Sequence, residues 1–137
     1  MKTLSLVQTN FPVSLNQDTF YLPYSAALIW SYINSFANNE FELNKIIFRR
    51  EPIEQTAIAL AKDTVVGFSC YMWSRNYSLK VAKRIKELNP SVIIVFGGPE
   101  MEIEKIDFFP AKFLKYTTGA IVRRQAKRPS TVYRSKQ

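Results

Sequence analysis

Four short apolar runs along the chain predict β-strands. The third and fourth runs are rich in β-branched residues and are continuous rather than alternating, which is typical of strands buried on both faces of a sheet. The second run is preceded by two further apolar residues, Phe41 and Leu43. The four runs are residues 4–7, 45–48, 64–69 and 92–96.

Three segments with helical spacing separate these runs. Pro23 begins the first, which is apolar nearly all round, and Pro52 begins the second. A proline suits the first turn of a helix because its missing N–H would be unpaired there. The third segment runs from about Asn76 to Leu88, with Val81, Ile85 and Leu88 on its inner stripe. Its basic residues are expected to point outward, and these are Lys80, Lys83, Arg84 and Lys86.

The alternation of strands and helices predicts an α/β fold, a doubly wound parallel sheet of four to five strands in a single domain. A fifth strand is weakly indicated at residues 119–123, after a helix around residues 104–116. We expect residues 1–123 to form this domain. Residues 124–137 are basic and lack an apolar period, so we expect a disordered tail.

The net charge of +8 comes entirely from the end of the chain. Residues 1–111 carry 11 basic and 11 acidic side chains, whereas residues 112–137 carry eight basic side chains and no acidic one. The body of the domain is therefore balanced. The basic end shows neither interleaved aromatic residues nor a recognisable motif, so nucleic acid is not an expected partner.

The counts of cysteine and histidine exclude several classes of site. One cysteine, Cys70, cannot form an internal disulfide or a site built on several thiolates, and it is interpreted as a small buried hydrophobe. The chain has no histidine, which excludes a histidine triad and any imidazole ligand. No apolar run is long enough to span a membrane and the start does not resemble a signal peptide, so a cytoplasmic location away from membranes is expected.

In open parallel sheets, ligands bind beyond the carboxyl ends of the strands. This rule selects residues 8–22, 69–77 and 97–100. The Gly97-Gly98-Pro99 segment either lets a flat ligand approach the backbone or forms a tight strand exit. The aromatic residues and Met72 at positions 71–77 either wall a pocket, contact another domain, or cap the sheet. The four glycines cannot supply a GxGxxG fingerprint or a phosphate loop.

Five segments together resemble the N-terminal cobalamin-binding domain of cobalamin-dependent radical S-adenosylmethionine enzymes, over about residues 1–100. The Gly-Gly-Pro-Glu end together with the run through the third strand is the more specific part of this pattern. The matching segments are Thr9-Asn10, Tyr21-Leu22-Pro23, residues 66–73, residues 82–90 and residues 95–100.

This resemblance implies a flavodoxin-like, Rossmann-like domain that holds cobalamin over the carboxyl edge of the sheet. Ser69, Gly97 and Gly98 would flank the nucleotide tail of the cofactor, while Pro99 and Glu100 would shape the rim. The Asp-x-His-x-x-Gly motif of the methionine-synthase type is absent, so this chain supplies no histidine ligand to the cobalt. Because the family places the tail beside the strands and away from the cobalt, the resemblance implies base-off cobalamin. The residues expected to border the corrin are Thr9, Asn10, Tyr21, Tyr71, Met72 and Trp73.

The sequence also departs from the family. The CxxxCxxC motif of the radical domain is missing, so this chain is expected to hold no iron–sulfur cluster and to be non-catalytic alone. A basic stretch replaces the end of the family's domain. The chain is therefore interpreted as a truncated or detached cobalamin-binding module, with a radical S-adenosylmethionine domain on a separate chain as a partner. A flavodoxin-like domain for another cofactor or a protein partner, and a non-functional remnant, stay open as alternatives.

Overall fold

The computed structural model describes residues 1–10, residues 21–100 and the backbone of residues 121–122. Neighbouring strands are parallel throughout, in the order β2-β1-β3-β4-β5. This order confirms the doubly wound α/β fold and is that of a flavodoxin-like sheet. The elements are β1 (Lys2–Val7), α1 (Tyr24–Phe36), β2 (Phe41–Ile47), α2 (Ile53–Leu60), β3 (Val65–Ser69), α3 (Arg75–Leu88), β4 (Ile93–Gly97) and β5 (Ile121–Val122).

The predicted elements lie close to the observed ones. Pro23 and Pro52 directly precede α1 and α2, as their sequence positions indicate. The backbone of the fifth strand pairs with β4 through Phe96↔Ile121 and Gly97↔Val122. The predicted helix at 104–116, the basic tail at 124–137 and most of the loop at 8–22 lie outside the described residues.

The main core lies between the sheet and the helices α2 and α3. Side chains alternate along β3 and β4, so that Val66 and Phe68 face this core together with Ile94 and Phe96. The rings of Phe68 and Phe96 stack with centroids 5.1 Å apart. Burial of such large apolar side chains is the dominant stabilising contribution, at about 25 cal/mol per Å².

The opposite face of the sheet carries a smaller cluster. Leu4 and Leu6 of β1 pack there against Ala26 of α1, and Val65 of β3 is a half-buried neighbour. Within the described part of the chain, α1 is the helix that covers this face. Its cover is partial, because Ile93 of β4 stays 43% exposed.

Polar contacts join α2 to α3 at two levels. Thr56 Oγ1 and the Tyr77 hydroxyl lie 3.0 Å apart in the core, and the same hydroxyl donates to the Glu51 carbonyl at 2.8 Å. Nearer the surface, Arg84 donates to both carboxylate oxygens of Glu54 at 2.7 and 2.8 Å. The two helices are thus held by a buried hydroxyl pair and a bidentate ion pair.

The expected outward position of Lys86 is wrong. This side chain is buried, and its ammonium group donates to the carbonyl oxygens of Pro90 and Val92. The turn between α3 and β4 leaves these carbonyls without partners in a helix or strand, and the lysine satisfies them. Burial lowers the pKa of Lys86 from its ordinary value.

Candidate functional site at the carboxyl edge of the sheet

The strand order creates one crevice at the carboxyl edge of the sheet. The connection after β1 leads outward to β2, whereas β3 continues in the opposite direction to β4. The chain therefore leaves β1 and β3 toward opposite edges of the sheet, and ligands of such folds bind at this switch point. All eleven residues predicted for the site are among the described residues and lie at this edge.

The loop after β1 ties the site to the start of α1. Asn10 Nδ2 donates to the carbonyl of Tyr21 at 3.0 Å. Gln8 Oε1 accepts from the backbone N–H of Ala26 at 3.0 Å and so satisfies one free donor of the first helical turn. Thr9 is buried, yet its Oγ1 has no hydrogen-bond partner in the described part of the chain. A buried hydroxyl of this kind is costly unless a ligand or water completes it.

The loop after β3 forms an apolar wall. The rings of Tyr71 and Trp73 stack at 4.7 Å with planes 11° apart, and Trp73 Nε1 donates to the carbonyl of Thr9 at 3.3 Å. Ser74 Oγ accepts from the backbone N–H of Tyr71 at 3.0 Å and closes the turn. Met72, which lies between these two residues in the sequence, is 77% exposed. Hydrogen bonds to Thr9 and Ser74 thus hold this loop in place, while the Met72 side chain is open to solvent.

Two backbone hydrogen bonds join the end of β4 and the loop after it to the loop after β3. Cys70 donates its N–H to the Gly97 carbonyl at 2.6 Å and accepts from the Glu100 N–H at 3.2 Å. Gly98 has φ +105°, and a Cβ at this position would lie 2.5 Å from the Cys70 carbonyl oxygen. Gly98 is therefore required by the strand exit itself. Pro99 follows it, exposed at the rim.

Cys70 is no nucleophile at this edge. The side chain is completely buried, and burial raises the pKa of its thiol to about 12. Because only the thiolate is reactive, the group stays inert at neutral pH. This agrees with its interpretation as a small buried hydrophobe.

Three contributors to this edge were not named as site residues from the sequence, although two of them, Gln8 and Ser74, lie in the segments that the carboxyl-edge rule selects. Arg50 lies in the loop that follows β2. It donates to the Trp73 carbonyl, and its guanidinium lies 5.4 Å from the centre of the Tyr77 ring. The carboxyl-edge rule applied to β2 would have found it. Ser74 precedes α3, a position where serine is favoured. The contact of Gln8 with the Ala26 N–H was not predictable, because it depends on where α1 begins.

Among the residues described, no group of histidine, cysteine and carboxylate side chains could hold a metal ion. In that same part of the chain, no helix is both long and apolar enough to cross a bilayer. The cytoplasmic location stays a prediction from the sequence.

The chain matches a known protein family over most of its length. Residues 30–127 match the B12 binding domain, which is more than half of the chain. This chain belongs to the B12-binding domain family. The match spans β2, β3, β4 and the loops that follow them, and it confirms the family resemblance seen in the sequence.

Two curated relatives of this B12-binding domain are similar to it. The cobalamin-dependent radical SAM methyltransferase TokK of Streptomyces tokunonensis is 31% identical over 99 residues, which is 71% of this chain and 14% of TokK. The 2-(S-pantetheinyl)-carbapenam-3-carboxylate methyltransferase of Streptantibioticus cattleyicolor is 28% identical over 91 residues, which is 65% of this chain and 13% of that enzyme. The chain thus spans about one-seventh of the length of these relatives.

The residues at the edge fit a large flat cofactor with a side arm. On the face of the sheet that α1 shares, the carboxyl ends of β3 and β4 carry small residues, since Ser69 pairs with Gly97. Small residues leave space beside the strands, and exposed Met72 and Trp73 offer apolar contact above them. The unpartnered hydroxyl of Thr9 adds a polar group at the same edge.

Proposed function

We propose that this chain binds cobalamin at the carboxyl edge of its sheet and acts as the cobalamin-binding module of a radical S-adenosylmethionine methyltransferase. One observation carries the proposal: in a member of the B12-binding domain family, the loops after β1, β3 and β4 converge at the switch point and present an apolar wall. The methyltransferase part rests on the two relatives, whose names describe methyltransferases.

The corrin ring would lie over the loops after β1 and β3. Met72, Trp73 and Tyr21 are exposed there, and such side chains bury large areas against a planar ligand. Asn10 and the Thr9 hydroxyl would bond the amide groups at the ring's edge. Pro99 and Glu100 would limit the ring on the β4 side.

The nucleotide tail would descend beside β3 and β4, next to Ser69, Gly97 and Gly98. The cofactor would then be base-off, with its own base held away from the cobalt. No nitrogen of this chain would replace that base, since the chain has no histidine, and the ammonium and guanidinium forms of lysine and arginine have no available lone pair for a metal. Electron paramagnetic resonance of the bound cobalt(II) form should show no nitrogen hyperfine splitting.

When bound, cobalamin would supply a cobalt centre able to carry a methyl group. The side chains of this domain would orient the ring, exclude water from the face over Tyr71 and Trp73, and leave the other face open. Radical cleavage of S-adenosylmethionine requires a three-cysteine cluster site, which one cysteine cannot provide. We propose that this step occurs on polypeptide outside these 137 residues, in a truncated or detached arrangement.

A titration of the full chain with hydroxocobalamin, followed by absorbance and calorimetry, tests the proposal. Ser69→Leu should fill the space beside the strands and weaken binding by about tenfold or more, which corresponds to about 1.4 kcal/mol. Ser91→Leu is the matched control, because it makes the same exchange at an exposed position in the turn before β4 and should bind as the wild type does.

Absence of binding by the wild type would overturn the proposal and favour another cofactor, a protein partner or a remnant. Equal binding by wild type and Ser69→Leu would reject the tail's position alone.

A further inference from the structure

One face of α1 is apolar and open to solvent. The helix carries large exposed side chains at every fourth position and at one position beside that row. The sequence from Pro23 to Asn39 holds no charged residue. The α1 stripe, as we call this face, consists of Tyr24, Leu28, Ile29, Tyr32 and Phe36.

The α1 stripe is as large as the largest apolar surface patch of a typical monomer. Since a large apolar side chain can bury about 150–250 Å², the exposed parts of its five members amount to roughly 600 Å². The largest patch of a typical monomer reaches roughly this size and is often an interaction site. Two such faces paired together would remove about 1,200 Å² in total, the lower limit of a stable interface.

The stripe is complementary to itself. In an antiparallel pair of α1 helices centred between Leu28 and Tyr32, Leu28 would face the partner's Tyr32, and Tyr24 would face the partner's Phe36. Every such contact joins apolar surface to apolar surface, without a charge to desolvate. A two-fold axis of this kind is the commonest symmetry of soluble oligomers, and homodimer interfaces are poor in charge.

A cavity near the end of α1 can receive the partner's Tyr24 side chain. It measures about 320 Å³ and lies between the end of α1 and the sheet, lined by Tyr32 and Phe36 and by Leu4, Phe41 and Val65. Tyr24, at the other end of the helix, is 70% exposed. An antiparallel pairing brings the Tyr24 side chain of each chain to the cavity of the other, and both cavities fill at once.

We infer that the α1 stripe is the interface of a homodimer and that its occupant is a second copy of this chain. The chain's own tail is a poorer cover, since residues 123–137 carry six basic and no acidic side chains and show no apolar period. The dimer does not depend on cobalamin, because the stripe lies along α1 and not among the loops of the cofactor edge.

Sedimentation velocity of the full chain over a wide range of concentration tests this inference. The wild type should form a species of twice 15.9 kDa. Leu28→Glu should be monomeric, because pairing would bury a carboxylate in an apolar contact. Asn34→Glu places the same charge at an exposed position of the same helix outside the stripe, and it should remain dimeric. Circular dichroism confirms that each variant is folded, and Tyr32→Glu is the second interface variant.

Three results would overturn the inference. A wild type that is monomeric at every concentration rejects the second copy as occupant. A wild-type monomer that dimerises only after removal of residues 124–137 assigns the stripe to the chain's own tail. A dimer that persists in both Leu28→Glu and Tyr32→Glu assigns the interface to another surface. Each readout is independent of the cobalamin titration.

Discussion

At the scale of single residues, Gly98 is the position with least freedom. Its φ of +105° is unfavourable for any side chain, and an added Cβ would meet the Cys70 backbone at 2.5 Å. We expect Gly98→Ala to lower the free energy of unfolding by about 3 kcal/mol, measured by urea denaturation. In Gly67→Ala, the matched control, the new Cβ meets the movable Cδ2 of Leu6, and the change should stay within about 1 kcal/mol. A Gly98→Ala protein as stable as the wild type would contradict this account.

Some of these residue roles could be predicted from the sequence and others could not. Gly97-Gly98 was recognisable as a ligand edge or a strand exit, because adjacent glycines after a buried strand have few other uses. Lys86 was not predictable, since helical periodicity places it on the polar stripe of α3. Its burial follows from two loop carbonyls whose position is set only when α3 meets β4. Arg50 and Gln8 likewise act through contacts between distant segments.

At the scale of elements, the ion pair between α2 and α3 makes stability depend on pH. The hydrogen bond that Glu54 accepts from Arg84 lowers the pKa of Glu54 below the ordinary value of 4.5. The unfolded chain then binds the proton more readily, so the contribution of the pair is complete above pH 4.5 and is lost as the pH falls through the lowered pKa. Glu54→Gln should reduce the urea midpoint at neutral pH and have no effect in strong acid.

Glu42→Gln, an exposed carboxylate on β2, is the control and should change little at either pH. A Glu54→Gln effect that stays constant from neutral to acid pH would show that packing, not the ion pair, joins the helices at this point.

The elements themselves were largely predictable. Continuous β-branched runs marked β3 and β4, and prolines marked the starts of α1 and α2. The apolar character of α1 was visible too, but periodicity could not tell which of its faces the sheet covers. That distinction arises from the partial cover of the sheet by α1, a property of the assembled fold.

At the scale of the whole molecule, we expect the chain to be a binding unit and not a complete catalyst. After reconstitution with iron and sulfide, the purified 137-residue chain should not cleave S-adenosylmethionine, because one cysteine cannot hold the required cluster. Chromatographic detection of 5′-deoxyadenosine is the measurement, with a radical S-adenosylmethionine enzyme as positive control. Formation of this product above the background of a Cys70→Ala variant would contradict the expectation.

The burial of Cys70 has a practical consequence for experiments on this fold. As the sole thiol of the chain, buried where the loops after β3 and β4 meet, it can be alkylated only while that edge is open. The rate of Cys70 labelling therefore measures local opening of this edge, without any engineered probe. A ligand bound at this edge would lower the rate of Cys70 labelling directly. A ligand bound elsewhere would lower that rate only by raising the global stability of the fold. The native sequence thus carries its own reporter of occupancy.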